Sequence, residues 1–137
     1  MNLQDTLDKI ILHAKLHTPA LILLKGTIGT GKTFLTKKLA EHIGVTDDIA
    51  SPTFTLLSNY YIDWENKKNF IHLDLYRLPK FSTEQIFTQT NLAEFLMEDN
   101  IVVIEWPEKV EPYLKQFNPL IVNIAMKDNL RVYSINE

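Results

Sequence analysis

Cysteine is absent from the 137 residues, which excludes disulfides and thiolate metal sites and fits a reducing compartment. Long apolar runs are missing too, since nothing approaches the roughly eighteen residues of a membrane span. Residues 1–9 mix charges and show no signal-peptide pattern. A cytoplasmic chain with no membrane partner is the expectation. Excess positive charge is also lacking: 14 basic against 17 acidic residues give a formal net charge of -3. No domain-wide basic field therefore exists to hold RNA or DNA by counterion release. Arginine occurs only as Arg77 and Arg131. Glycine occurs four times, and three of the four stand together at positions 26, 29 and 31.

What is present is ordinary for a folded protein. Hydrophobic residues make up 45% and charged residues 23%, too apolar for disorder, and the length suits one domain over residues 1–137 with a real core. Leu3, Leu7, Ile10, Ile11 and Ala14 recur at helical spacing and predict an amphipathic helix over 3–16, ended by Pro19. An uninterrupted apolar strand over 20–25 follows, the pattern of a strand covered on both faces. Leu35, Leu39 and Ile43 predict the next helix, with Lys37, Lys38 and Glu41 mostly outward and Gly44 at its C-cap. Residues 53–62 read as a strand, 63–69 as a polar turn, and 70–76 as a strand paired in a hairpin with its predecessor. Alternation there puts His72, Asp74 and Tyr76 on one face and Ile71, Leu73 and Leu75 on the other, so one face packs and the other is free to serve a site. Ser82 with Gln85 resembles a capping box opening a short helix, and 91–97 reads as another. Residues 101–104 form a second buried strand, ending at Glu105 and Trp106 before Pro107. A hairpin of 120–126 with 130–135 closes the chain.

Residues 26–33 read G-T-I-G-T-G-K-T between the first strand and the second helix. This is the G-x-x-x-x-G-K-T phosphate-binding loop in its required context. Backbone N–H groups from Ile28, Gly29, Thr30 and Gly31 turn inward on a polyphosphate, Lys32 reaches the outer phosphates, and the Thr33 hydroxyl is a hard oxygen ligand for Mg²⁺. The helix N-terminus points at the same anion. A metal–triphosphate also needs carboxylates at neighbouring strand ends. Glu105, after four apolar residues, fits the Walker B place, and its other reading is a cap on the turn before Pro107. Asp74 is the second carboxylate, with partnership to Arg77 as its other reading. His72 reads more readily as a packing histidine than as a ligand, and Trp106 more readily as core than as a stacking group. No N-K-x-D tetrad reads guanine, because residues 66–69 are N-K-K-N; ATP/ADP is the expected nucleotide. No base or substrate-binding segment for a small-molecule phosphoryl acceptor is evident.

Beyond the loop, S-P-T-F at 51–54, H-L-D-L-Y-R-L at 72–78 and I-E-W-P-E at 104–108 follow in order. With the loop, these motifs resemble the TsaE family over roughly residues 3–135. The resemblance implies a three-layer α/β P-loop NTPase fold, a mostly parallel sheet with antiparallel hairpins. It implies a small ATPase needed for the threonylcarbamoyl modification of adenosine next to the tRNA anticodon. Its partners would be the TsaB–TsaD complex, with TsaD carrying the transfer chemistry and tRNA met only indirectly. By position it makes Lys32 the phosphate lysine, Thr33 and Glu105 the Mg²⁺ holders, Thr53 a switch-like hydroxyl and metal-site residue, and Asp74 a residue needed for hydrolysis. Thr6 would touch the nucleotide. The family loop usually reads G-D-L-G-A-G-K-T-T, so Thr27, Ile28, Thr30 and Phe34 depart from it, and the acidic helix expected after Leu78 is not clear. Two other classes stay open: a nucleotide-sensing module that only changes shape, and a small-molecule kinase.

Overall fold

The structure is a computed structural model that describes residues 1–27, 29–46, 57–76 and 81–136. Six strands form one sheet in the order β2-β3-β4-β1-β5-β6. They are β1 (Ala20–Lys25), β2 (Leu57–Trp64), β3 (Lys67–Asp74), β4 (Asn100–Glu105), β5 (Leu120–Lys127) and β6 (Leu130–Asn136). The inner four are parallel, and β2 and β6 close the two edges antiparallel. β1 sits centrally, pairing Leu24 with Glu105 of β4 and with Val122 of β5.

Helices α1 (Leu3–Leu16) and α2 (Lys32–Ile43) cover one face of the sheet, over Ile22, Leu24, Phe70, Val103 and Val122. Helices α3 (Thr83–Thr90) and α4 (Leu92–Phe95), with 3₁₀ turns at Glu111–Tyr113 and Lys115–Phe117, cover the other, over Leu21, Leu23, Leu73, Val102 and Ile104. The result is the expected three-layer α/β arrangement. Full burial of a leucine or isoleucine stabilises by about 1.5–3 kcal/mol, and β1 and β4 bury such residues on both faces, as uninterrupted apolar strands should.

Local chemistry explains the element ends. Asn2 caps α1 by accepting from the Asp5 backbone N–H at 2.7 Å. The helix stops at Leu16 with His17 as cap, two residues ahead of Pro19. α2 ends where the Gly44 N–H reaches the carbonyls of Ala40 and Glu41. The Ser82–Gln85 capping box forms in both directions. The helix expected over 91–97 is only the single turn of α4, set off from α3 by Asn91 in left-handed conformation (φ 55°).

Two strand expectations are corrected. The turn expected over 63–69 shrinks to Glu65 and Asn66, both with positive φ (49° and 62°), the geometry of a two-residue hairpin turn. Pairing therefore extends to Trp64 and Lys67. The first part of the strand expected over 53–62 lies outside the described residues. More consequentially, β3 has no open face over 70–73: Phe70, Ile71, His72 and Leu73 are all 0% exposed. β3 is an inner strand, flanked by β2 and β4 and covered above and below over 70–73, so His72 is spent inside the protein while Asp74 stays half-buried at the strand's end. The C-terminal hairpin turns at Asp128 and Asn129, again both at positive φ.

Candidate phosphate-binding site

The parallel strands β1, β3 and β4 finish at one edge of the sheet, where Asp74 and Leu24 both register with Glu105. The loop rises from this edge. Its first glycine is fixed by close approach: a Cβ on Gly26 would lie 2.5 Å from the Ile124 carbonyl oxygen. Its last, Gly31, stands at φ 98°, a left-handed conformation that side-chain-bearing residues rarely adopt, and turns the chain into α2.

Lys32, 5% exposed, folds its ammonium back onto the loop. Nζ donates to the carbonyls of Gly26 (2.8 Å) and Thr27 (2.9 Å), with Thr30 Oγ1 at 3.4 Å. The Trp106 ring lies under the charge, 4.3 Å from Nζ to centroid. Burial pulls the Lys32 pKa below that of an ordinary lysine, while Glu105, Asp74 and Glu108 act in opposition by favouring the charge. Thr30 itself is buried, its hydroxyl donating to the Thr27 carbonyl at 2.8 Å. Gly29 is exposed at the loop's tip.

Glu105 is 2% exposed and held from two sides. Thr33 Oγ1 lies 3.0 and 3.1 Å from its two carboxylate oxygens, and His72 Nε2 donates to Oε2 at 2.5 Å. His72 thus orients the carboxylate rather than merely filling space, and its Nδ1 is buried with no hydrogen-bond partner among the described residues. The polar face that the sequence pattern assigned to β3 carries these contacts, but inside the protein rather than open to solvent. Asp74, half-buried at the end of β3, accepts from the Tyr76 N–H at 3.1 Å. Trp106 leaves Glu105 at φ 57°, an uncommon conformation for a bulky residue. That turn places its ring between Lys32 and Tyr76, the latter 4.7 Å away centroid to centroid, while the half-buried ring also packs against the core of that face, so Trp106 joins the site to the core.

Lys32, Thr33, Glu105 and Asp74 are therefore brought together as the sequence pattern expects. Thr6 is fully buried in α1, with its hydroxyl donating to the Asn2 carbonyl at 2.7 Å. Ile28, Thr53 and Arg77 lie outside the described residues. One residue escaped the sequence reading. Arg131 of β6 lies against the loop, and a Cβ on Gly31 would sit 2.7 Å from its Nε. The signal was available in the register, since an antiparallel β6 returns Arg131 opposite Met126, beyond the end of β1.

Among the described residues no group of three or more histidine and carboxylate side chains could enclose a metal. The hydroxyl of Thr33 beside the carboxylate of Glu105 is nevertheless a hard-oxygen pair of the kind Mg²⁺ accepts when phosphates and water complete its shell.

The strand, loop and helix, with a carboxylate at the neighbouring strand end, define a P-loop α/β protein. The family model described as "Threonylcarbamoyl adenosine biosynthesis protein TsaE" matches residues 3–132. The chain belongs to the TsaE family. It is 35% identical to the tRNA threonylcarbamoyladenosine biosynthesis protein TsaE of Haemophilus influenzae over 119 residues, 85% of this chain and 71% of that one. It is 32% identical to the protein of the same name from Treponema pallidum, over 85% of this chain and 81% of that one. With the Synechocystis protein of that name identity is 38%, over 66% of this chain but 55% of that relative's length. The crystal structure of Bacillus subtilus YdiB superimposes with a TM-score of 0.65 at 26% identity, covering 98% of this chain and 80% of that one. No helix among the described residues is long and apolar enough to cross a membrane.

Proposed function

We propose that this chain, acting as one domain over residues 1–137 in the cytoplasm, binds Mg-ATP and hydrolyses it in service of tRNA threonylcarbamoyladenosine formation, together with TsaB–TsaD. The observation that carries the reading is the convergence of Lys32, Thr33 and Glu105 at one strand edge, with the lysine already bonded to the loop carbonyls at 2.8 and 2.9 Å. A bound Mg²⁺, held by Thr33 and Glu105, supplies charge neutralisation to the phosphates. Lys32 swings from the Gly26 and Thr27 carbonyls to phosphate oxygens, and the loop N–H groups fix the chain of phosphates. Asp74, registered beside Glu105, orients the attacking water at the γ-phosphate. His72 keeps Glu105 in place through Oε2.

Hydrolysis by the isolated chain is slow in this reading. Lys32 is the cation that the described residues place beside Glu105, and Arg131 stands on the other flank of the helix start, against Gly31 and Phe34. A missing arginine finger costs about 10³ to 10⁵ in rate in P-loop enzymes, and TsaB–TsaD would supply that charge or order the segments that complete the site. The test is phosphate release measured with and without a saturating TsaB–TsaD pair. Stimulation supports the reading; equal rates remove the partner from it, and ATP binding without any turnover leaves a nucleotide-sensing module. Transfer to water rather than to a hydroxyl compound excludes a small-molecule kinase.

A further inference from the structure

A cavity of about 750 Å³ lies between the C-terminal half of α1 and the stretch from Glu111 into the start of β5. That size is within the usual range for small-ligand pockets, and no described residue of the phosphate loop lines it. Leu12 and Leu16, one helical turn apart, stand 56% and 70% exposed beside it. Pro119 and Ile121 add apolar surface from the other wall. Exposed apolar groups gathered in one concavity, rather than scattered singly, mark a binding surface.

On α1 the His13 and His17 rings, which also line the cavity, stack with centroids 4.0 Å apart and planes 20° from parallel. The pair is fixed in place. His17 Nδ1 donates to the His13 carbonyl at 3.0 Å, and a backbone hydrogen bond joins the His13 ring to Leu21. Burial, with His17 adding to it, holds the His13 pKa down to about 4, so at neutral pH this ring offers a flat face and no charge. The charge that is left over at the cavity has one sign. Glu111 is answered by Lys25, whose Nζ lies 2.8 Å from its Oε1. Lys9 and Lys115, both exposed, make no ion pair among the described residues. Long lysine stems cover apolar surface while their heads reach for an anion.

We propose that this cavity binds a small amphipathic carboxylate, its planar apolar body against Leu12, Leu16 and the His13–His17 pair and its carboxylate toward Lys9 and Lys115. A singly charged head suits the place better than a phosphate. The C-terminal end of α1 carries partial negative charge, which a dianion feels more than a monoanion, and the ammonium heads are not joined here by a helix N-terminus such as opens α2. The site is independent of the Mg-nucleotide reading and stands or falls without it.

Imidazole NMR resonances of the full chain test this, with 2-naphthylacetate as the probe. Acetate serves as the head alone and 2-naphthaleneethanol as the uncharged counterpart. The probe should shift His13 and His17 with half-saturation at or below about 1 mM, leaving His42 and His72, which do not line the cavity, in place. The alcohol should bind at least about threefold more weakly, and acetate should shift neither ring. Lys9→Glu combined with Lys115→Glu should weaken the probe about tenfold, and Leu16→Gln about threefold. Melting should be little changed in both, since these side chains are exposed. Mg-ATP should not displace the probe. No saturable shift, equal affinity for alcohol and carboxylate, shifts in all four histidines together, full binding by the double lysine variant, or displacement by Mg-ATP would each overturn the site.

Discussion

The strand pair β3–β4 buries polar groups at both ends, and the two ends are built differently. At the N-terminal end Asn69 registers with Asn100, and Asn69 Nδ2 donates to Asn100 Oδ1 at 3.0 Å. Asn100 Nδ2 in turn donates to the Phe95 carbonyl at 3.0 Å, tying the strand to α4. At the C-terminal end His72, Asp74 and Glu105 gather beside Lys32 and Thr33. Each end leaves one buried atom unpartnered among the described residues, Asn69 Oδ1 and His72 Nδ1, so an orphaned atom does not by itself mark a working site. The charge does. Neutral amides fix register, because a one-residue slip would turn them into an apolar face. Ionisable groups cost far more to bury and stay only where something answers them.

Breaking the working end should show first in turnover. Glu105→Gln keeps the shape and removes the charge that Thr33 and His72 surround, and phosphate-release assays should find hydrolysis down roughly a hundredfold with ATP binding affected less. Wild-type turnover and wild-type Mg²⁺ dependence would return Glu105 to a turn cap. Breaking the other end should show in stability alone. Asn100→Ala strands the Asn69 amide and the Phe95 carbonyl, costing about 2 kcal/mol, visible as a melting temperature lower by several degrees with ATP affinity unchanged. An affinity loss as large as the stability loss would mean the two ends are coupled. Lys32→Ala should leave the fold in place and weaken ATP at least about tenfold, about 1.4 kcal/mol, by calorimetry.

The smallest effect sharpens the comparison by lying at neither end. Burial, aided by His17, pushes the His13 pKa down from 6.5 to about 4 against a backbone hydrogen bond with Leu21. Between those values the unfolded chain holds a proton on His13 that the native chain lacks. Stability is therefore whole above pH 6.5 and falls as the pH drops toward about 4. The full shift is worth about 3 kcal/mol, which solvent screening of a half-buried ring lowers to roughly 1–2. Denaturant midpoints measured from pH 7 down to pH 4 should fall less steeply for His13→Gln than for wild type. Parallel curves would move the acid sensitivity to another group.

The sequence made local features plain because their causes are local. The loop spacing, the Ser82 capping box, the Gly44 cap and the two apolar strands each depend on residues within a few positions, and all form as expected. β3 was only half legible: alternation of polar and apolar residues predicts one face that serves a site, and His72 and Asp74 do gather beside Glu105, but strand order, set by pairing with β4 some thirty residues away, buries His72. His72 looked like packing for the same reason: its partner Glu105 is adjacent only after that pairing. Arg131 was harder still, since it reaches Gly31 by way of β5 docking on β1 and the hairpin turning back.

The folded-back lysine has a further consequence for selectivity among anions. Before its ammonium can serve a ligand it must give up the Gly26 and Thr27 carbonyls and its place above Trp106. An anion that reaches only one or two of the loop's N–H groups, as orthophosphate would, recovers little of that loss. A chain of phosphates running along the loop, as proposed, would meet more N–H groups and recover more of it. On the Mg-nucleotide reading proposed above, the loop would thereby discriminate by ligand length, through the same contacts that hold its lysine in reserve.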